Sequence, residues 1–162
     1  MQPIDMQYDE GLQYEILAFI LRNPAFLQSH PNVVKAQYFT NPTLMAIAGA
    51  YLGQENVIVL TPNELLHAVQ QEDEEYCSQH RAALVQALKR LVRTKYNPAY
   101  LEQEVIRFAK HHAVVQAWYD SIDDIKGKQY DQIVERMKDA LSIGENINDL
   151  GTSITQVDVE KI

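Results

Sequence analysis

The side chains best suited to chemistry lie in three small groups of Cys, His, Asp and Glu residues. Cys77 and His80 are one helical turn apart and follow the acidic pair Asp73 and Glu74. Thiolate, imidazole and carboxylate groups all bind Zn²⁺, but a structural zinc site normally has four ligands, most of them Cys or His. Because the chain contains one cysteine, we interpret Cys77 and His80 as packing residues on a helix face.

The other two groups are the adjacent pair His111 and His112 and the acidic cluster Asp120, Asp123 and Asp124. Neighbouring residues on a helix point about 100° apart, so the two imidazoles do not chelate one ion as residues i and i+4 do. The acidic cluster is either a solvated face, which we favour, or a metal or acid–base site. No Ser–His–Asp or Cys–His pattern is identifiable. The sequence therefore predicts no catalytic, cofactor-binding or metal-ligating residue in this chain.

The composition predicts an all-α protein. Of the 162 residues, 46% are hydrophobic and only six are Gly and six Pro, which allows a real core and favours helices. No apolar run approaches the roughly 20 residues that span a bilayer, and residues 1–11 lack the basic and apolar parts of a signal peptide. A single cysteine fits a reducing compartment. We therefore expect a soluble cytoplasmic protein.

The net charge of −8 bears on the choice of partners. Sequence-independent DNA binding depends on Lys and Arg side chains that neutralise phosphates. The acidic run 72–75 is followed by five basic residues, Arg81, Lys89, Arg90, Arg93 and Lys95. Acidic residues at a helix start and basic residues at its end match the helix dipole, which explains this distribution without nucleic acid. We expect only weak DNA binding and no membrane partner.

Helix start and stop signals predict that residues 1–97 form a head of several short helices. The predicted helices are 11–22, 24–29, 31–38, 42–53, 61–71 and 73–95. Thr40 or Asn41 is expected to cap the helix at residue 42, and Thr61 with Glu64 is typical of a capping box. Residues 56–60 are apolar and β-branched, but they have no obvious partner strand. They are therefore predicted to be a loop against the core.

Residues 98–144 predict an antiparallel helical hairpin. Its first helix, 98–126, places apolar residues near heptad spacing, Gly127 is expected to allow the turn, and Gly144 is a natural end for the second helix. One hairpin exposes more apolar surface than it covers, so it must pack on the head or on another copy of the chain. Residues 145–162 show no helical stripe and are predicted to be the start of a linker or a disordered tail.

Three stretches carry a family resemblance. They are residues 14–27 (YEILAFILRNPAFL), residues 33–52 (VVKAQYFTNPTLMAIAGAYL) and residues 100–144 (YLEQEVIRFAKHHAVVQAWYDSIDDIKGKQYDQIVERMKDALSIG). In this order they resemble the N-terminal domain of DnaB-type replicative DNA helicases, particularly the branch found in T-even-like phages. Leu17-Ala18 stands where cellular relatives often have Leu-Gly, which favours a phage source. The expected location is then the cytoplasm of a bacterium or of a phage-infected host.

The resemblance implies a domain that builds the collar of a hexameric ring. In the family, this collar binds primase and, in some systems, the helicase loader. The motor of the family binds ATP and Mg²⁺ through a Gly-rich phosphate loop, and this sequence contains no such loop. Asp149, Leu150 and Gly151 lie where the linker to the motor begins in the family. The chain is thus expected to be a fragment without chemistry of its own, from an ATP-dependent DNA helicase.

The expected self-contact, in a dimer, trimer or hexamer, uses the apolar residues of the hairpin. The predicted interface residues are Leu101, Val105, Phe108, Val115, Trp118, Ile122, Ile133, Val134, Met137 and Leu141. The same side chains can equally close the hairpin within one chain. Two other hypotheses remain, a free-standing helical adaptor that binds partner helices and a small metal-dependent hydrolase that uses Asp120 and Asp124.

Overall fold

The computed structural model describes residues 9–143, which form eight α-helices, one short 3-10 helix and no strand. The α-helices are α1 (Glu10–Arg22), α2 (Pro24–Ser29), α3 (Pro42–Leu52), α4 (Pro62–Glu72), α5 (Glu74–Gln79), α6 (Arg81–Arg93), α7 (Pro98–Lys126) and α8 (Tyr130–Leu141). The predicted all-α class is confirmed. The expected cap at Gly144 and the expected tail 145–162 lie outside the described residues. None of the described helices is long and apolar enough to cross a membrane.

Helix α1 is the central helix of the head. Asp9 caps its start by accepting a hydrogen bond of 2.8 Å from the Leu12 amide. Residues 16–21 are all buried, and the helix contacts α2, α3, α6 and α7. A helix that is apolar nearly all round is stable only when other elements surround it. The sequence of α1 therefore fixes its place in the middle of the core.

The end of α1 is tied to the end of α6. The Arg22 guanidinium donates hydrogen bonds to the carbonyl oxygens of Leu91 at 2.6 Å and Thr94 at 2.9 Å. The last carbonyls of a helix have no partner within the helix, and a cation there also matches the helix dipole. This contact holds the carboxyl end of α6 beside α1.

Two predicted helix starts are confirmed. The Asn41 side chain accepts hydrogen bonds from the first amides of α3. The Thr61 hydroxyl accepts from the Glu64 amide at 3.1 Å, and the Glu64 carboxylate accepts from the Thr61 amide at 3.0 Å. The hydrogen bond from the Thr61 amide, and after it one from the Thr61 side chain, lower the pKa of the Glu64 carboxyl. Residues 56–60 form a loop, as predicted, but only Val57 and Leu60 pack against the core, whereas Ile58 and Val59 are exposed.

Two predicted helices are shorter than expected. The single helix 73–95 is in fact α5 and α6, separated at His80, whose φ of −121° and ψ of 26° are not helical. Helix α5 packs on α4, whereas α6 also packs on α1 and α3, so tertiary contacts override local propensity here. The helical piece 31–38 is reduced to a 3-10 helix at Ala36–Tyr38, because Asn32 adopts a left-handed φ of 62°.

Helices α7 and α8 form the predicted hairpin. Helix α7 begins after Asn97, whose side chain accepts a hydrogen bond from the Tyr100 amide at 3.2 Å. The turn begins at Gly127, as expected, and Gly127 caps the end of α7, but its φ is −87° and the left-handed residue is Lys128, with a φ of 58°. Helix α8 packs extensively only against α7. It therefore joins the rest of the protein chiefly through that helix.

Candidate interface on the helical hairpin

The first half of α7 belongs to the core of the head. Leu101, Val105 and Phe108 are 0% exposed. The ring centroid of Phe108 lies 5.2 Å from that of Phe39 and 6.2 Å from that of Tyr38. These three predicted interface residues are therefore covered within one chain, and in this fold a second copy does not reach them.

The second half of α7 and the whole of α8 keep apolar side chains at the surface. The other predicted interface residues are all partly or largely exposed, namely Val115, Trp118, Ile122, Ile133, Val134, Met137 and Leu141. The exposed fraction is 43% for Trp118, 54% for Val134 and 56% for Leu141. The predicted residues therefore separate into a buried set near the head and an exposed set farther along the hairpin.

The structure adds two residues to the exposed set. Ile125 is 55% exposed and Tyr130 is 60% exposed. Ile125 follows Trp118 by two helical turns, and Tyr130 precedes Val134 by one, so helical spacing alone could have included both. We name the combined set the hairpin face, and it consists of Val115, Trp118, Ile122 and Ile125 on α7 and Tyr130, Ile133, Val134, Met137 and Leu141 on α8.

The hairpin face lies on one side of the hairpin. At 100° per residue, its members fall within about 80° of arc on α7 and about 100° on α8. Helix α7 meets α8 through a different arc, where Ala117 and Ser121 are buried, and Ala140 is the buried residue of α8. In an antiparallel pair whose contact is marked by these buried residues, with the Arg136–Asp124 hydrogen bond on one side of it, both exposed arcs turn to the other side. The result is an apolar strip to which both helices contribute.

The opposite side of the hairpin is polar. Arg136 of α8 donates to the Asp124 carboxylate of α7 at 2.6 Å, and it lies 3.8 Å from that of Asp120. The hydrogen bond with Asp124 and the charge of that carboxylate raise the pKa of Arg136. The expectation of a solvated acidic face is wrong for Asp124, whose side chain is only 10% exposed. This ion pair joins the two helices and leaves the hairpin face free.

His112 marks the junction between the two halves of α7. Its ring stacks on the Tyr38 ring at a centroid distance of 5.5 Å and meets the Phe108 ring at 4.8 Å. Burial, and to a smaller degree the charge of His111, lower the pKa of His112 to about 4. His112 is therefore neutral at pH 7. The ring centroids of His111 and His112 lie 5.4 Å apart, and the ring planes are turned 86° from each other.

The interpretation as packing residues is confirmed for Cys77 but is wrong for His80, which is exposed and lies at the break between α5 and α6. Cys77 is 2% exposed and belongs to the core of the head. The His80 ring lies 4.4 Å from the Tyr76 ring. Within residues 9–143, no group of three or more His, Cys, Asp and Glu side chains is arranged to hold a metal ion. The feature of the described surface that most clearly indicates a function is therefore the apolar hairpin face.

Comparisons with known proteins add no family assignment. No family model matches the chain, and no curated protein or solved structure matches it either. The surfaces of the described residues, and above all the hairpin face, are therefore what indicates the function.

Proposed function

We propose that this chain is a self-association and partner-docking domain in which the hairpin face packs against another copy of the chain. The observation that carries the proposal is the concentration of exposed large apolar side chains on the hairpin. Trp118, Ile125, Tyr130, Val134 and Leu141 are each at least 43% exposed, and they share one side of two helices. Contiguous exposed apolar surface of this kind marks interaction sites. Trp and Tyr are also typical anchors of subunit interfaces.

The more specific form of the proposal is the collar of a DnaB-type replicative helicase. Its support is the sequence resemblance of residues 14–27, 33–52 and 100–144 to that family. In this form, the hairpins join copies into a dimer, trimer or hexamer, and the heads present surfaces to primase or to a helicase loader. Partner binding would favour one arrangement of the collar over another. ATP and Mg²⁺ would act in the motor of such a helicase, and the described residues contribute no chemistry to it.

The proposal is tested by one pair of matched substitutions on α7. Trp118 and Tyr100 are 43% and 52% exposed, and they are five helical turns apart on the same side of the helix. Trp118→Glu places a charge in the hairpin face and should convert the assembly to monomers, whereas Tyr100→Glu should leave it intact. Mass photometry measures the change, and circular dichroism checks that both variants are folded. Equal assembly of the two variants would refute a contact through the hairpin face.

The same face favours a second candidate, an adaptor that binds a helix of another protein. A strip to which two helices contribute accommodates one partner helix as readily as a second hairpin. The two candidates differ in what the purified chain does alone. Self-association that Trp118→Glu abolishes supports the collar, and a monomer at high concentration supports the adaptor.

A further inference from the structure

A second apolar surface lies on the head, in a trough between α4 and α6. Its first part is a groove of about 400 Å³ lined by Pro62, Asn63, Leu66, Val85, Leu88, Lys89, Val92 and Arg93. An adjoining depression of about 240 Å³ shares Pro62, Leu88 and Val92 with this groove and extends to Val59 and Leu60. We name these two connected depressions the head trough.

The head trough has an apolar floor and an exposed apolar wall. Leu88 is 4% exposed and forms part of the floor. Val92 and Val59 are 58% and 59% exposed, and the neighbouring Ile58 is 54% exposed. Lining residues of α6 recur at positions 85, 88, 89, 92 and 93, which is the spacing of one helix face. The trough therefore offers contacts along about two turns of α6, or roughly 12 Å.

The charges of the head trough are all of one sign. Lys89 and Arg93 line it from α6, and Arg22 at the other end donates to the carbonyl oxygens of that helix. No acidic side chain is among the residues that line the two depressions. This positive edge stands on a chain whose net charge is −8. Complementary charge selects partners and orients them, so the expected ligand combines apolar and acidic side chains.

We propose that the head trough binds an amphipathic helix of a partner protein, with apolar side chains on the floor and Glu or Asp side chains beside Lys89 and Arg93. Helices that dock in a groove use apolar anchors at positions i, i+3 or i+4, and i+7, which fits the length of the trough. The inference deepens the docking part of the proposed function and rests on it. Self-association through the hairpin face is a separate property.

The test uses two fluorescent helical peptides and the full chain. Both peptides carry Leu at positions i, i+3 and i+7, and the flanking positions are Glu in one peptide and Lys in the other. Fluorescence anisotropy should show binding of the Glu peptide, with the Lys peptide at least about tenfold weaker. The double variant Lys89→Glu/Arg93→Glu should reverse this preference. Equal binding of the two peptides, no binding of the Glu peptide, or no reversal would overturn the proposal.

Two matched valine variants locate the binding site. Val92 in the head trough and Val134 on the hairpin face are 58% and 54% exposed. Val92→Glu should weaken binding of the Glu peptide at least about tenfold, and Val134→Glu should leave it unchanged. Because Val134→Glu should instead reduce self-association, failure of one proposal is distinguishable from failure of the other.

Two further outcomes would assign the head trough to a different occupant and overturn the proposal. If Val92→Glu abolishes self-association, the occupant is a second copy of the chain. If a chain shortened to residue 143 binds the Glu peptide at least about tenfold more tightly than the full chain, the occupant is the segment 144–162. An unchanged mass for Val92→Glu and unchanged peptide affinity for the shortened chain support a partner helix.

Discussion

The two halves of α7 carry similar apolar stripes, but only the first stripe is covered by the protein's own chain. Phe108 in the first half is 0% exposed, whereas Trp118, less than three turns later, is 43% exposed. The difference comes from the neighbouring elements, since α7 packs on α1 and the 3-10 helix as well as on α8, and Tyr38 of the 3-10 helix contacts the Phe108 ring in the first half. Apolar periodicity therefore predicts that a surface is buried, but it does not predict whether the covering residues belong to the same chain.

The two sides of the hairpin also differ in their polar contacts. The Arg136–Asp124 ion pair joins α8 to α7 on the side opposite the hairpin face. The buried apolar contribution of α8 is a single alanine, Ala140. Helix α8 is thus held in place partly by charge, and its larger apolar side chains remain available for contact with another molecule.

The largest expected effect is on the free energy of unfolding. It should differ between substitutions in the two halves of α7. Phe108→Ala should lower the free energy of unfolding by about 3–5 kcal/mol, because it leaves a cavity in the core. Trp118→Ala should lower it by only about 1–2 kcal/mol in the dilute monomer, because Trp118 is 43% exposed there and its removal leaves no closed cavity. Urea unfolding followed by circular dichroism measures both values. Similar losses for the two variants would remove the distinction between the halves.

The next effect concerns the junction at His112. Its pKa is lowered to about 4 in the folded state, whereas an unfolded histidine has a pKa of about 6.5. The unfolded chain therefore binds more protons between these values. Stability from this residue is present above pH 6.5 and is lost as the pH falls toward 4, by up to about 2–3 kcal/mol.

Variants at the two adjacent histidines isolate this contribution. His112→Asn should show a smaller loss of stability between pH 6.5 and 4 than the natural sequence does. His111→Asn is the control and should retain most of the pH dependence, because burial of His112 is the main cause of the shift. Urea unfolding at a series of pH values supplies the comparison. Parallel curves for His112→Asn and the natural sequence would show that His112 is not buried at this junction.

A smaller, local effect is expected from the polar side of the hairpin. Arg136→Ala removes the cation beside the nearly buried Asp124 carboxylate and should speed amide hydrogen exchange throughout α8, with no change in α1. Arg107→Ala is a suitable control. Its guanidinium pairs at 2.9 Å with Glu104, whose side chain is 9% exposed, but this pair lies within the first half of α7, so exchange in α8 should not change. Faster exchange in α1 after Arg136→Ala would indicate that α8 and the head unfold as one unit.

The smallest expected change in the free energy of unfolding comes from a substitution in the core of the head. Tyr51 is 0% exposed, and its hydroxyl has no hydrogen-bond partner within residues 9–143. Burial also raises the pKa of this phenol. Tyr51→Phe should therefore leave the free energy of unfolding unchanged or raise it by about 1 kcal/mol. A clear loss of stability would mean that the hydroxyl is paired, for example with a buried water.

Much of the fold could be predicted because its signals are local. Asn41, Thr61 with Glu64, and Asn97 mark helix starts through contacts within a few residues. The break at His80 could not be predicted, since neither Gly nor Pro marks it and packing on different neighbours causes it. The left-handed conformation at Lys128 is not predictable either, because the adjacent Gly127 is the residue type that adopts it most readily.

The candidate site was predictable only in part. Helical spacing identified the apolar residues of both hairpin helices, but it did not separate Leu101 and Val105, in the core, from Val134 and Leu141, on the surface. That separation depends on where the head ends against α7. The Arg136–Asp124 pair was missed for a related reason, since two residues in different helices meet only once the turn has set their register.

We propose above all that the hairpin face brings copies of this chain together. Sedimentation equilibrium of the unmodified chain over a wide range of concentrations tests it most directly, because it gives the average mass in solution. The monomer mass for comparison is 18.6 kDa. If copies associate through the hairpin face, the average mass should rise with concentration toward that of a dimer, trimer or hexamer. A mass that stays at 18.6 kDa at the highest concentration would contradict it.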